Sequence, residues 1–595
     1  MSGSCSESKI GHEKSTRQYF SKIIKDPKHK TIRHADCFVF SFWPRFLFCI
    51  SHKTTIIHSI HFYEYTFTNI PMKKKLPIWK QSFIVIRTWD PTVYIDKTKY
   101  ILDLIENGKN TPYFLSRPRR FGKSLLIDTI RCLFEWRKEL FEWLYIYDKW
   151  DWEVKYPVVK IVFWDGFYEN REFLQRGLQN ILKTYAERYD IVLEAINIPD
   201  RFRELIVKIS EKTGRQVVVL VDEYDKPILD QINNLEKASE IKDELKGFYS
   251  VLKWADEYLK FVMLTGVTKF SKVSVFSGLN NLSDITIDTR YNAICGYTLP
   301  EIIENFWPEG YLEWVDLDQM RVWYNGYSFW NTSETLYNPF WLLNFFDKKQ
   351  YQNYWFSTAT PTFLINLIKT GKYDFSTLDL ERIKVNNEIL DAFDIETIEL
   401  KTLLFQSGYL TIKEMTAFGN RISYTLWVPN EEVRSSLNDH LIKDYLWFTN
   451  QSFNFDKLER LYWVLTAWDI DGYVTIIKQI FAGIPYANYV NNHINEYEWF
   501  YASVFYSFMA YTGIEFIAED FTNKWRIDFT LRILNKVYII EFKVEETGKK
   551  GLAQIKERKY YEKYVWEGKE IYLVGMSFDS ESKNIGEVEW EKLKN

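Results

Sequence analysis

Cysteine is scarce. Five residues in a chain of 595 cannot staple a protein of this size. Cys5, Cys37 and Cys49 crowd into the first fifty positions, while Cys132 and Cys295 stand apart. A disulfide scaffold is excluded and a reducing compartment is expected. Long apolar runs are also lacking. The longest, 38–50, is broken by Pro44 and Arg45 and falls short of the roughly 20 residues that span a bilayer. It also starts too far in for an ordinary signal peptide. The expectation is an intracellular protein, cytoplasmic or nuclear, not secreted and without membrane contact. Nor is there a large surplus of one charge: a formal net charge of −4 excludes a chain basic throughout, although a local basic groove remains compatible with it. Internal repeats and low-complexity tracts are absent.

Aromatic side chains are abundant, at 18%, within a composition 46% apolar and 26% charged. That balance is globular, and the length is that of about three to five domains. Residues 1–71 differ from the rest. They carry ten Lys and Arg against five Asp and Glu, and six of the eight histidines (His12, His29, His34, His52, His58 and His61). Only Cys49 with His52 approaches a zinc-ligand spacing, so the segment reads as a loosely ordered tail. Met72 opens a new texture, compatible with an alternative start.

From 76 to 300, apolar strand-like runs alternate with amphipathic stretches. Residues 111–115, 158–163, 216–221 and 261–265 read as buried strands, and 125–133 reads as a helix. Such alternation predicts βαβ units and a parallel sheet. Between the first strand and that helix lies Ser116-Arg117-Pro118-Arg119-Arg120-Phe121-Gly122-Lys123-Ser124, the setting of a phosphate-binding loop. Gly122 lets backbone amides face a phosphate, Lys123 supplies a point charge and Ser124 offers a hydroxyl to Mg²⁺. Arg117 stands where the usual pattern has its first glycine. About a hundred residues on, 216–223 is an apolar strand ending in Asp222 and Glu223. Asp222 is placed to hold Mg²⁺ through water, and Glu223 to polarise an attacking water. The third strand ends in polar residues that would lie beside the second, with Thr265 or Thr268 sensing a terminal phosphate.

Residues 300–480 read as mostly helical and aromatic-rich. Within them, 403–428 runs from a helix ending at Gly408 into two strands joined through Gly419 and Asn420, a helix–hairpin of the winged-helix kind. The last hundred residues read as helix (496–511), two strands (526–532, 537–544), helix (552–564) and strand (571–574), an αββαβ order. Asp528 lies on the first of these strands and Glu541-Phe542-Lys543 on the second. The period of two sets Glu541 and Lys543 on one face, and a hairpin would bring Asp528 near Glu541. Two carboxylates so placed repel unless a divalent cation joins them, and Lys543 could then orient or help deprotonate a water that attacks a phosphodiester. Glu498, on the preceding helix, is a further candidate ligand. Gln554, Lys556 and Arg558 could approach phosphates or face solvent.

Two resemblances add to these readings. Residues 76–346 resemble the AAA-ATPase-like family that often accompanies a C-terminal nuclease domain. The matching text is Leu76-Pro77-Ile78 with Gln81-Ser82-Phe83, Tyr94 to Thr98, Ser116 to Ser124, Val221 to Pro227, Leu264 to Asn281 and Trp323 to Tyr327. In that light Arg117 looks like the family's own habit. From about 490 onward the chain resembles the PD-(D/E)XK nuclease superfamily domain of the same proteins. That match runs through Glu498 with Phe500-Tyr501, Arg526-Ile527-Asp528, Ile540 to Lys543, Gln554-Ile555 with Tyr560, and Tyr572 to Gly575, with Trp525 in place of a glycine.

The resulting expectation is an α/β protein in four parts. Residues 1–71 form a poorly ordered extension. Residues 72–300 form a P-loop NTPase domain with a parallel sheet, and 301–480 a helical middle region with a winged-helix-type element. Residues 481–595 form an αβββαβ-type, restriction-endonuclease-like domain. ATP and Mg²⁺ are the expected cofactors. The resemblance implies that Arg119, Arg120, Phe121, Gly122, Lys123, Ser124, Asp222 and Thr268 bind the nucleotide, with Ser124 and Asp222 on the metal and Glu223 in turnover. It likewise implies that Asp528, Glu541, Lys543 and Glu498 form a nuclease site, with Asp528 and Glu541 on its metal. The expected partner is nucleic acid, DNA before RNA, with room for a homo-oligomer. The rival reading is a regulatory NTPase whose inactive nuclease-like domain only binds nucleic acid or partner proteins.

Overall fold

The computed structural model describes 73–354 except 89–90, 109–110, 164–165, 167, 271–274, 277, 280 and 331–333. It also describes 383–386, 399–437 except 420, 451–482 except 468, residues 505 and 509, and 515–593 except 522–525, 545, 580 and 583. The histidine-rich segment, with its Cys49 and His52, and Glu498 lie outside the described residues. The chain divides into units 1–73 and 74–595; the architecture below belongs to the second. No helix among the described residues is long and apolar enough to cross a membrane.

The first sheet has five parallel strands: β1 (Tyr113–Ser116), β2 (Val158–Val162), β3 (Val217–Asp222), β4 (Leu259–Gly266) and β5 (Ser283–Asp284), in the order β2-β3-β4-β1-β5. Strand β3 reads Val-Val-Val-Leu-Val-Asp and is buried at every position. Continuous apolar runs of this kind are what a parallel sheet covered on both faces demands. Helix α1 (Lys123–Phe134) follows β1. Helices α2 (Arg171–Arg188) and α3 (Ile198–Thr213) connect β2 to β3, and α4 (Leu235–Trp254) leads into β4. The side chains of Asn170, Asn197 and Asn234 accept from backbone amides in the first turns of α2, α3 and α4, which satisfies donors that helix starts leave orphaned. Because β4 is inserted between β1 and β3, the carboxyl ends of three strands lie side by side, where open α/β sheets place their ligands.

The middle region contains α5 (Pro339–Lys348), then strand β6 (Ile383–Asn386), helix α6 (Leu400–Ser407), β7 (Thr411–Phe418) and β8 (Arg421–Trp427). The last two form an antiparallel hairpin with β6 on its outer side, in the order β6-β8-β7. The helix–hairpin expected from Gly408 and Gly419 is thus present, with a third strand added. It docks on 325–329: the Tyr327 hydroxyl donates to the Gly408 carbonyl, and Ser328 and Thr411 exchange two hydrogen bonds.

Two helices, α7 (Gln451–Ala467) and α8 (Ile470–Ala482), lie against the C-terminal sheet: Tyr538 and Lys536 donate to the carbonyls of Leu465 and Thr466 at the end of α7, and Phe481 on α8 meets Phe578. That sheet comprises β9 (Glu515–Phe521), β10 (Arg526–Ile533), β11 (Lys536–Val544), β12 (Glu570–Asp579) and β13 (Asn584–Lys592), ordered β13-β12-β11-β10-β9. All pairs are antiparallel except β11 with β12, which α9 (Gly548–Glu557) connects. The helix lies so close that a side chain on Gly575 of β12 would collide with the Gly548 carbonyl. Strand β9 appears where the resemblance implies a third strand; β13 is an addition to the expected order.

Candidate functional site

The phosphate-loop region is built from the ends of β1, β3 and β4. Gly122 has φ +99°, the left-handed region open to glycine, and it turns the chain into α1. Lys123 is buried and donates to the carbonyls of Arg117 (2.8 Å) and Pro118 (3.0 Å). Burial pushes its pKa down, while Glu223, Asp222 and Asp225 pull it back up. Phe121 is fully buried and packs edge-on against Tyr327 and Phe329. It anchors the loop into the region that follows the sheet.

Arg117 has a role that its position in the motif does not announce. Its guanidinium is buried and donates to the carbonyls of Ser116, Thr286, Tyr291 and Asn292. It also lies over the Phe329 ring. Burial pushes its pKa down to about 10, so it stays cationic at neutral pH. The residue that replaces a glycine therefore ties the loop to 286–292 from behind.

At the end of β3 the carboxylates separate. Asp222 is buried and accepts from the Thr265 hydroxyl of β4 at 2.7 Å. Glu223 has φ +55°, a left-handed conformation costly for a non-glycine residue, and its carboxyl turns into a cavity of about 820 Å³ shared with Arg119, Lys123 and Ser124. Burial pushes the Glu223 pKa up, opposed by Lys123. Asp225, which the sequence reading passes over, organises the strand ends. Its Oδ2 accepts from the Val267 amide (3.0 Å) and from the amide and hydroxyl of Thr268 (both 2.6 Å). Thr268 is fully buried and spends its hydroxyl on Asp225. A signal existed: Asp225 follows Asp222 by three residues, at the point where the strand turns. The next amide, Lys269, donates to Gln406 of α6, which connects the end of β4 to the helix–hairpin.

This setting fits a nucleotide with its cation. Lys123, Arg119 and the start of α1 offer positive charge and amides, Ser124 and Glu223 offer hard oxygens, and the cavity volume is that of an ordinary ligand site; Asp222 and Thr268 lie behind its wall rather than in it. Lys97, also in the cavity wall, is bound to Glu301 at 2.6 and 2.8 Å.

In the C-terminal sheet, β10 and β11 pair antiparallel with Phe529 opposite Ile540. The next positions outward are Asp528 and Glu541, so the two face each other across the hairpin on one face. Asp528 Oδ2 accepts from the Phe542 amide at 2.7 Å. Glu541 is buried; Lys543 Nζ donates to its Oε1 at 3.0 Å and to the Phe542 carbonyl at 2.9 Å. Gln554 of α9 also donates to Glu541 and to the Tyr560 hydroxyl, which accepts from Arg558. Lys556 instead pairs with Glu591. Beneath the site Phe505, Phe529 and Phe542 pack edge to face or tilted, with centroids 5.0 to 5.7 Å apart, which fixes both strands. Two facing carboxylates supply oxygens suited to a hard divalent ion, and the Lys543 ammonium stands beside them. Among the described residues, no cluster of three or more His, Cys, Asp or Glu is arranged for a metal.

Comparison with known proteins agrees with both halves. Residues 77–276 match the family model described as a predicted AAA-ATPase, and 496–588 match that of the PD-(D/E)XK nuclease superfamily. A protein of Azotobacter chroococcum mcd 1, described as an uncharacterized protein in the vnfD 5′ region, is 44% identical over 515 residues, covering 86% of this chain and 98% of the relative.

Proposed function

Because the chain belongs to the AAA-ATPase-like family and carries a C-terminal PD-(D/E)XK nuclease superfamily domain, we propose that it binds and hydrolyses ATP and cleaves nucleic-acid phosphodiesters, DNA first, with Mg²⁺ at both sites. The observation that carries the nuclease reading is the facing of Asp528 and Glu541 with Lys543 Nζ 3.0 Å from the latter.

At the nucleotide site, Lys123 and Arg119 neutralise phosphate charge, and Ser124 with Asp222 holds the cation. Glu223, whose raised pKa suits a proton acceptor, orients the attacking water. Thr268 acts through Asp225, registering the nucleotide state at the end of β4. At the nuclease site, Asp528 and Glu541 hold the divalent ion, with Glu498 as a further ligand. That ion, when bound, neutralises charge developing on the scissile phosphate. Lys543 uses two of its three N–H donors on Glu541 and the Phe542 carbonyl, which directs the third to a phosphate oxygen or the attacking water. The hydrogen bond that the Lys269 amide donates to Gln406 Oε1 supports a coupling in which the nucleotide state biases access of substrate to the nuclease.

Incubation of supercoiled plasmid and of single-stranded DNA and RNA with Mg²⁺ tests the proposal. Wild type is expected to cut, and Asp528→Ala and Lys543→Ala to lose at least about 100-fold in rate. Binding without cleavage by all three proteins would favour the rival regulatory reading.

A further inference from the structure

The cavity beside Lys123 has walls of two characters. One carries the phosphate-directed groups. Another is apolar and comes from elements distant in sequence: Trp79, in the turn that precedes the sheet, and Pro339, Phe340 and Leu343 at the start of α5. Trp79 is more than half exposed and has φ +64°, so an L side chain is held outward at a cost in backbone strain. Its ring meets Phe340 edge-on, with centroids 4.5 Å apart and planes at 72°. That contact leaves the indole face to a different partner. The partner is Arg120, whose guanidinium lies 4.6 Å from the Trp79 ring centre and 5.1 Å from that of Phe340. Arg120 sits two residues before Gly122 and itself has φ +64°.

A guanidinium and a nucleobase are both flat, delocalised plates that stack on aromatic faces. They compete for one surface. We propose that Trp79 and Phe340 form the nucleobase platform of the nucleotide site, and that Arg120 occupies it as a placeholder. An incoming base takes the indole face from the guanidinium, and the released Arg120 turns to the phosphates. This proposal rests on the phosphate-loop reading above. A platform that reads a π face rewards large rings, so purine nucleoside triphosphates are the favoured class.

Calorimetric titration of the full chain with ATP, CTP and inorganic tripolyphosphate tests it. Trp79→Ala is expected to weaken ATP at least about 5-fold, to bring ATP and CTP closer together, and to leave tripolyphosphate unchanged. Trp79→Phe should retain most of the ATP affinity. Unchanged ATP affinity in Trp79→Ala would overturn the platform, as would equal losses for ATP and tripolyphosphate, which signal a structural role. Failure of wild type to bind tripolyphosphate or ATP would overturn the phosphate-loop reading beneath it, a result distinct from loss of the platform alone.

Discussion

Arg117 holds its guanidinium carbon 3.9 Å from the centre of the Phe329 ring while donating to carbonyls at both ends of 286–292. Desolvating the cation is costly. Charge-assisted hydrogen bonds of roughly 1.5–3 kcal/mol each, with a desolvated cation–π contact near 2 kcal/mol, offset much of that cost, and the lowered pKa marks what remains. Arg117→Gly moves the loop toward the usual pattern, yet it strands buried carbonyls and opens a void. It should therefore destabilise the nucleotide domain by about 2–4 kcal/mol. Urea unfolding monitors this, and equal or higher stability in the variant would refute the anchoring role.

Thr268 supplies two of the three donors that Asp225 Oδ2 accepts from. Thr268→Val keeps the amide and the shape but deletes the hydroxyl, leaving a buried carboxylate short of one bond. A loss of about 1–3 kcal/mol is expected. Thr268→Ser, which restores the donor, should recover most of it. Thermal melting of the two variants side by side decides; equal losses would point to the methyl group rather than the bond.

How far the sequence carries differs between these residues. Strands β1 to β4 were legible because parallel strands buried on both faces read as unbroken apolar runs, as in 217–222; β5, two half-buried polar residues, has no such run and was not. The positions of Lys123 at the start of α1 and of Asp222 and Glu223 at the end of β3 were legible because polar residues that open or stop an apolar run mark where an element begins or ends. Arg117 was not: its partners come from 286–292 and from Phe329, remote in sequence and made of backbone and a ring rather than a complementary charge. Strand β13 escaped because it is an edge strand whose charged residues, Glu587, Glu589 and Glu591, are exposed, so its sequence lacks a buried strand's apolar run. The facing of Asp528 and Glu541 depended on hairpin register, which only the pairing of Phe529 with Ile540 fixes.

Glu223 gives a pH signature. Burial raises its pKa above that of the unfolded chain, so the folded state holds this proton more tightly. The resulting stability is present at acid pH and is lost as pH rises through the raised value. Glu223→Gln mimics the neutral form and should melt higher than wild type at pH 8, with the gap narrowing towards pH 5. Melting curves across that range check the sign; a gap that widens on acidification would contradict it. The same variant should hydrolyse ATP at least about 100-fold more slowly while still binding it.

Gly575 tests whether the two halves of the chain fold on separate cores. A methyl group there meets the Gly548 carbonyl and the Leu552 amide of α9, and backbone cannot yield as a side-chain tip can. Gly575→Ala should push α9 off β11 and β12, costing about 1–3 kcal/mol or more. ATP affinity should stay within two-fold, roughly, of wild type, since β1 to β5 form a different sheet. Hydrogen exchange in 536–579, measured with ATP titration of the same sample, reads both effects; parallel losses would mean that the sheets share one cooperative unit.

Asp528 and Glu541 should respond to metal even when no substrate is present. Facing carboxylates repel, and Lys543 pairs with Glu541. A divalent ion that joins the pair binds the folded state alone and must stabilise it, by about 2.7 kcal/mol at a hundred-fold excess over Kd. Manganese should therefore raise the melting temperature of the C-terminal domain in wild type, and EDTA should reverse the rise. Asp528→Asn and Glu541→Gln remove one ligand charge each, so both should abolish the shift while relieving the repulsion, leaving their metal-free stability near that of wild type. Glu541→Gln is the sharper of the two, because Gln554 and Lys543 both donate to the carboxylate it neutralises. If it melts far below wild type without metal, Glu541 serves chiefly to satisfy those donors. A manganese shift that survives both substitutions would place the ion elsewhere.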